Sequence, residues 1–262
     1  MIQILELFGG IGSPRIALRN LKIDVKAIDY VEIDEKAVRS YNAMFQKELK
    51  YKTQDVRGYN LKPDILIHGS PCQDFSIAGH QKGADEGTGT RSSLMWNTVA
   101  IVEQCKPKYV IWENVPNVLS PKHIHNFEKY ISRMEELGYN NYHQLLNAKY
   151  FGVPQNRNRI FVVSIRKDIT KEFKFPLGTV SNIKLKDVLE DKVDEKYFLS
   201  EEYLKRCKES NFITNTDIKI IGTTVNPRAK GTNSRHWVHD INGIVGTISA
   251  TDYKQPKQIK VN

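Results

Sequence analysis

Cysteine is scarce: Cys72, Cys105 and Cys207 are the three in 262 residues, and they stand far apart. That spacing supports neither a disulfide framework nor a zinc site, and it predicts a protein of the reducing cytoplasm. No apolar run approaches the length that crosses a bilayer. The N-terminus opens on a strand-like apolar run rather than a charged segment followed by a longer apolar one, so neither a membrane span nor an export signal is expected. Internal repeats and low-complexity tracts are missing as well. Acidic side chains are outnumbered, with 30 Asp and Glu against 39 Lys and Arg, a net charge of +9 and a pI near 9.3. This balance favours a polyanionic partner such as nucleic acid. The excess concentrates late in the chain, where residues 203–262 hold 10 basic against 4 acidic side chains. With 40% hydrophobic and 26% charged residues, the chain can bury one large core beside a smaller lobe.

The order of apolar runs gives the fold class. Ile2 to Phe8 reads as a strand ending in glycines, and Pro14 to Asn20 as a helix with proline near its start. Val25 to Val31 is a second strand, followed by Asp34 as an N-cap and by Ala37, Val38, Tyr41 and Phe45 at helical spacing. The alternation recurs at Asp64 to His68 and Leu94 to Glu103, then at Tyr109 to Trp112 and Asn126 to Leu137. It predicts an α/β fold, a doubly wound and mostly parallel sheet with helices on both faces. Tyr139 to Asn147 and Arg159 to Ile165 add strands that include an antiparallel edge pair. Past Lys167 the rhythm weakens, which places a domain boundary near Phe175: residues 1–175 form the first domain and 176–262 the second.

Phe8-Gly9-Gly10-Ile11-Gly12 closes the first strand where backbone can approach a ligand at a helix start. Glu32 ends the second strand about 20 residues later, where a carboxylate accepts hydrogen bonds from a ribose. Together they indicate a nucleoside cofactor, and both NAD and S-adenosylmethionine carry such a ribose. Gly69-Ser70-Pro71-Cys72-Gln73 follows the third strand, at the carboxyl edge where open sheets bind ligands. A cysteine beside proline, with Gln73, Asp74 and Ser76 after it, suits an accessible thiolate better than packing. Glu113, in Trp112-Glu113-Asn114-Val115-Pro116, ends the next strand and opens on the same edge. Arg157 and Arg159 stand on alternate residues before a further strand, able to grip phosphate or a carbonyl oxygen. Arg228, Lys230, Arg235, His236 and Trp237 are candidates for contact with phosphate or base.

The segments LELFGGIGSPRIAL, VEIDEKA, SPCQDFSIAG, TRSSLMW, WENVPNV and YFGVPQNRNRIFVVSIR, in this order, resemble the cytosine-5 DNA methyltransferase family over residues 1–166. The run of Asp or Asn, Pro, Pro and an aromatic that marks amino-group methyltransferases is absent. The resemblance implies S-adenosylmethionine as cofactor and duplex DNA as partner. It would place Phe8, Gly10 and Gly12 beside the cofactor, Glu32 on its ribose, Ile33 against the adenine, Asp55 at the adenine amino group and Pro71 in the same pocket. It makes Cys72 the nucleophile, Glu113 the partner of ring nitrogen 3, and Arg159 with Arg157 the binders of the base carbonyl. Gln73, Ser76, Arg91 and Asn114 become substrate contacts. The loop through Gly79, Gly83, Gly87, Gly89 and Arg91 becomes a lid over a base swung out of the helix.

GIVGTISATDYKQPKQIKV resembles a stretch near the end of the family's target-recognition lobe, so residues 176–262 read as a partial lobe. The supporting segment and returning helix that follow in the family are not found. That departure leaves a split enzyme completed by a second polypeptide, a truncated product, or a protein that binds DNA without catalysis. Methylation of RNA cytosine is the competing activity.

Overall fold

Short apolar runs ending in glycine or in a polar turn alternate with amphipathic segments, and each such pair builds one strand and one helix. The computed structural model describes residues 1–45, 50–57, 62–75, 84–169, 172–214, 216–224, 236–248 and 257–260. In chain order come β1 (Ile2–Leu7), α1 (Ser13–Asn20), β2 (Val25–Val31), α2 (Glu35–Met44), β3 (Ile65–His68), α3 (Met95–Cys105), β4 (Tyr109–Asn114) and α4 (Ile124–Glu136). There follow β5 (Tyr139–Asn147), β6 (Gln155–Asn156), β7 (Asn158–Arg166), α5 (Glu201–Leu204), β8 (Cys207–Ile213), β9 (Lys219–Thr224), β10 (Trp237–Asp240), β11 (Val245–Gly246) and β12 (Gln258–Lys260). Among the described residues no helix is long and apolar enough to cross a membrane.

The chain divides into two units. The first holds Met1–Leu145 and Arg159–Phe175. Its sheet runs β2-β1-β3-β4-β7-β5, with β1 parallel to both β2 and β3, β3 parallel to β4, and β7 antiparallel to β4. Alternation along β1 supplies both faces. Leu5 and Leu7 join a core with residues of α3 and α4, including Val99, Val102, Phe127, Tyr130 and Met134. Glu6 points the other way and meets Tyr41 of α2. A doubly wound α/β sheet results. Its strand order matters for ligands: the chain leaves β1 toward β2 on one side and leaves β3 toward β4 on the other. The carboxyl ends of β1 and β3 therefore flank the crevice where connections diverge, the usual ligand site of open sheets.

Helix starts follow local chemistry. Asp34 caps α2 by accepting the Lys36 N–H at 2.8 Å. α1 begins from Gly12 in the left-handed region, with Pro14 in its first turn. A 3₁₀ turn, Ser92–Leu94, leads directly into α3.

The second unit comprises Leu146–Asn158 and Pro176–Asn262. Within it, strands β12-β10-β9-β8 form one sheet, and β11 pairs in parallel with β6. Trp237 packs edge-on against Phe212, and His236 is buried beside Thr224. This corrects the expectation that His236 faces nucleic acid, because its side chain is buried, whereas Trp237 stays half-exposed. Arg228, Lys230 and Arg235 lie outside the described residues.

Candidate active site

Two turns build the site of the first unit, one after β1 and one after β3. In the first, Phe8, Gly10 and Gly12 all adopt positive φ, at 53°, 53° and 84°. For Phe8 this is a strained conformation, costing roughly 1–2 kcal/mol, of the kind that collects at binding sites. Gly12 is fixed by space as well as by angle. A methyl group there would sit 2.6 Å from the Tyr41 ring and 2.7 Å from Phe45. Glu32 ties the turn to the end of β2: its Oε2 accepts the Gly10 N–H at 3.0 Å, and its Oε1 accepts the N–H groups of Ile33 at 2.8 Å and Asp34 at 2.9 Å. Ile33 beside it is 71% exposed, an apolar side chain left in the open. Asp55 is paired with Arg57, whose guanidinium holds its carboxyl well below the usual carboxylate range.

The second turn carries Cys72 and is held at several points. Ser70 Oγ accepts the indole N–H of Trp112 at 3.0 Å, and the Ser70 carbonyl accepts the Asn114 amide at 3.2 Å. Beyond the cysteine, the buried side chains of Asp74 and Ser92 bond reciprocally to each other's backbone N–H, at 3.1 and 3.2 Å. Asn117 donates to the Phe75 carbonyl at 2.5 Å, and Phe75 itself is fully buried. Cys72 thus sits half-buried, outside any disulfide, on a loop whose two ends are anchored in the core. Pro71 is half-buried beside it, and Gln73 is exposed and accepts from Arg91 at 2.9 Å. Ser76, Gly79 and Gly83 lie outside the described residues.

Asn114 was expected to face substrate. It is buried, with its amide on Ser70 and its oxygen accepting the Val115 N–H, so it braces the cysteine loop from below. His68, which ends β3, is also buried and accepts or donates at Tyr130 Oη, 3.2 Å away; burial pushes its pKa down to about 3, so it stays neutral. Neither Ser92 nor Asn117 stood out in the sequence. The Ser-Ser pair before the apolar helical run at Leu94 was the one available signal, a hydroxyl able to reach the Asp74 N–H.

Glu113 and Arg159 meet across two strands. Glu113 lies opposite Phe161 in the β4–β7 register, so β7 delivers Arg159 to the same sheet edge, where its Nε lies 2.7 Å from Glu113 Oε1. The other carboxylate oxygen hangs over the cysteine loop: a methyl on Gly69 would be 3.7 Å from Glu113 Oε2. Arg157 follows a different course. Its Nη1 donates to the Ile248 carbonyl at 3.2 Å, and its backbone N–H to Asn147, both within the second unit. Arg157 lies between β6, which ends at Asn156, and β7, which begins at Asn158.

Comparisons with known proteins agree in kind. The family model for C-5 cytosine-specific DNA methylase matches residues 2–261. The orphan methyltransferase M.SPRI of Bacillus phage SPR is 30% identical over 95% of this chain and 64% of its own length. The type II methyltransferase M2.ScrFI of Lactococcus lactis subsp. cremoris is 31% identical over 84% of this chain and 78% of its own. The crystal structure of S. pombe Dnmt2 methyltransferase shares the fold, with a TM-score of 0.61 at 20% identity over 79% of this chain and 66% of that one. The chain thus spans just under two thirds of the length of the phage relative.

Proposed function

The chain belongs to the C-5 cytosine-specific DNA methylase family, and from that membership we propose that it transfers a methyl group from S-adenosylmethionine to carbon 5 of cytosine in duplex DNA, with Cys72 as nucleophile. The observation that carries this reading is the Glu113–Arg159 ion pair at the sheet edge beside the anchored Cys72 loop.

The first turn fits the cofactor. An ionised carboxylate offers about four acceptor positions. Glu32 uses three, two on Oε1 and one on Oε2, leaving one on Oε2 for a ribose hydroxyl. Exposed Ile33 offers an apolar surface for the adenine, and an adenine amino group at Asp55 would share that carboxylate with Arg57. When bound, the cofactor supplies an electrophilic methyl group on a positively charged sulfur.

The residues of the second turn then make carbon 5 reactive. That carbon is a poor nucleophile in the aromatic ring. Addition of the Cys72 thiolate at carbon 6 breaks the 5,6 double bond and leaves an enamine whose electron density rises at carbon 5. Glu113 shares a proton with ring nitrogen 3, which offsets the negative charge arriving on the ring. Arg159 fixes the Glu113 carboxylate through Nε, and its guanidinium is the group assigned to the base carbonyl. With carbon 5 methylated and the cofactor's sulfur left as a neutral thioether, transfer of the carbon 5 proton to water re-forms the 5,6 double bond and expels the Cys72 thiolate. A stacked base cannot present carbon 6 to this thiol, so the cytosine must leave the duplex.

The test is methyl transfer from labelled S-adenosylmethionine to duplex DNA and to transfer RNA, each with the chain alone and with the product of the neighbouring reading frame. Label at carbon 5 of duplex cytosine is expected. Label confined to transfer RNA would move the reading to an RNA enzyme, and label in neither would leave a binding protein.

A further inference from the structure

One buried hydroxyl beneath the glycine turn has no part in the chemistry above. Tyr30, fully buried in β2, donates its hydroxyl hydrogen to the Gly10 carbonyl at 2.5 Å. The Gly10 N–H is the group that donates to Glu32. Each of the two peptide planes flanking Gly10 is therefore held by one side chain, Glu32 on one and Tyr30 on the other.

The ring bearing that hydroxyl is itself fixed. A methyl on Gly9 would lie 2.7 Å from the Tyr30 ring, so ring and turn are in close contact. Tyr30 stacks on Tyr41 with centroids 3.8 Å apart. Tyr41 is locked in turn, donating to Glu6 Oε2 at 2.5 Å and accepting from Arg15 Nη1 at 2.7 Å, in a setting where all three side chains are buried. Burial, with the Glu32, Glu6 and Asp34 carboxylates nearby, pushes the Tyr30 phenol well up from its ordinary value, so it keeps the proton that it donates.

We propose that Tyr30 is a positioning residue for the cofactor: its hydroxyl fixes the Gly10–Ile11 peptide plane, so that the glycine turn meets the ligand already in its bound shape. The inference rests on reading this turn as the S-adenosylmethionine site. Geometry explains why one bond suffices. In a trans peptide the C=O and the following N–H point to opposite sides. Anchoring the Gly10 carbonyl on the aromatic floor therefore directs the Ile11 N–H toward the open side of the turn, where Ile11 is half exposed. Glycine has wide conformational freedom, and without the anchor the turn would sample other shapes that binding would have to select against.

Tyr30→Phe removes the hydroxyl and keeps the stacked ring. Tyr51→Phe is the matched control, since Tyr51 belongs to the same aromatic cluster, edge-on to both Tyr30 and Tyr41, and its hydroxyl bonds to Arg15 rather than to the Gly10 carbonyl. Binding of S-adenosylmethionine to the intact chain, measured by calorimetric titration without DNA, should weaken about five- to tenfold in Tyr30→Phe, the worth of one hydrogen bond. It should stay at the unsubstituted value in Tyr51→Phe. In turnover, the KM for the cofactor should rise by the same factor while the KM for the duplex does not move. Unchanged affinity in Tyr30→Phe, or an equal loss in Tyr51→Phe, would overturn the proposal. No binding by the unsubstituted chain would instead bring down the cofactor reading, and the proposal with it.

Discussion

At the scale of single residues, the pair Glu113 and Arg159 acts as one unit. Arg159 meets the carboxylate through Nε, a donor that lysine lacks, so Arg159→Lys keeps the charge and loses the geometry. The account predicts that Glu113→Gln lowers single-turnover methyl transfer about 10²- to 10⁴-fold, the range for a misplaced proton donor. Arg159→Lys should lower it by about 10-fold or more, and the double variant should lose less than the product of the two single losses, because the ion pair is shared. Losses that multiplied in the double variant would separate the two roles. As candidates, Cys72, Glu113 and Arg159 stand out in the sequence because each sits in a polar stretch at or beside a strand end. Tyr30 and Glu6 do not. Both lie inside β strands, where an aromatic or a single polar residue is ordinarily core packing or a solvated face. Only the fold reveals that Glu6 is buried and that the Tyr30 hydroxyl reaches backbone.

At the scale of elements, the first unit's strands and helices were readable because each apolar run is short, separate and bounded by glycine, proline or a cap. Asp34 at the start of α2 and Pro14 at the start of α1 both occupy the expected positions. The course of residues 146–158 was not readable. Continuity with β5 and β7 hides a departure that only pairing of β6 with β11, some 90 residues on, exposes. The glycine turn gives a prediction at this scale. Gly12→Ala adds a methyl that meets Tyr41 and Phe45 at under 3 Å, at a φ of 84° that side chains resist. The left-handed strain alone costs roughly 1–2 kcal/mol. A lowered Tm by calorimetry and weakened cofactor binding are both expected. A variant as stable as the unsubstituted chain would mean the turn is looser than described.

At the scale of the whole molecule, buried histidines contribute to how stability answers to pH, His68 and His239 among them. Burial holds the pKa of His68 at about 3 and that of His239 at about 4, with Lys257 adding to the latter, against an ordinary value of 6.5 in the unfolded chain. The unfolded chain therefore binds protons first as pH falls. Stability from these groups is complete above about 6.5 and declines as pH drops toward 4 for His239 and toward 3 for His68. Tm followed between pH 7.5 and 4.5 should fall on the acid side, and His239→Leu should fall less steeply; equal slopes would contradict the assignment. The net charge of +9 and the basic excess late in the chain agree with a polyanionic substrate without choosing among them. The choice of chemistry rests on Cys72. The most direct measurement is incubation of the protein and S-adenosylmethionine with a duplex whose target cytosines carry fluorine at carbon 5, followed by denaturing electrophoresis and peptide mapping. Fluorine cannot leave as a proton does, so the account predicts a stable protein–DNA adduct through the Cys72 sulfur that Cys72→Ala cannot form. Methylation of ordinary duplex with no such adduct, or an adduct mapped to Cys105 or Cys207, would contradict it.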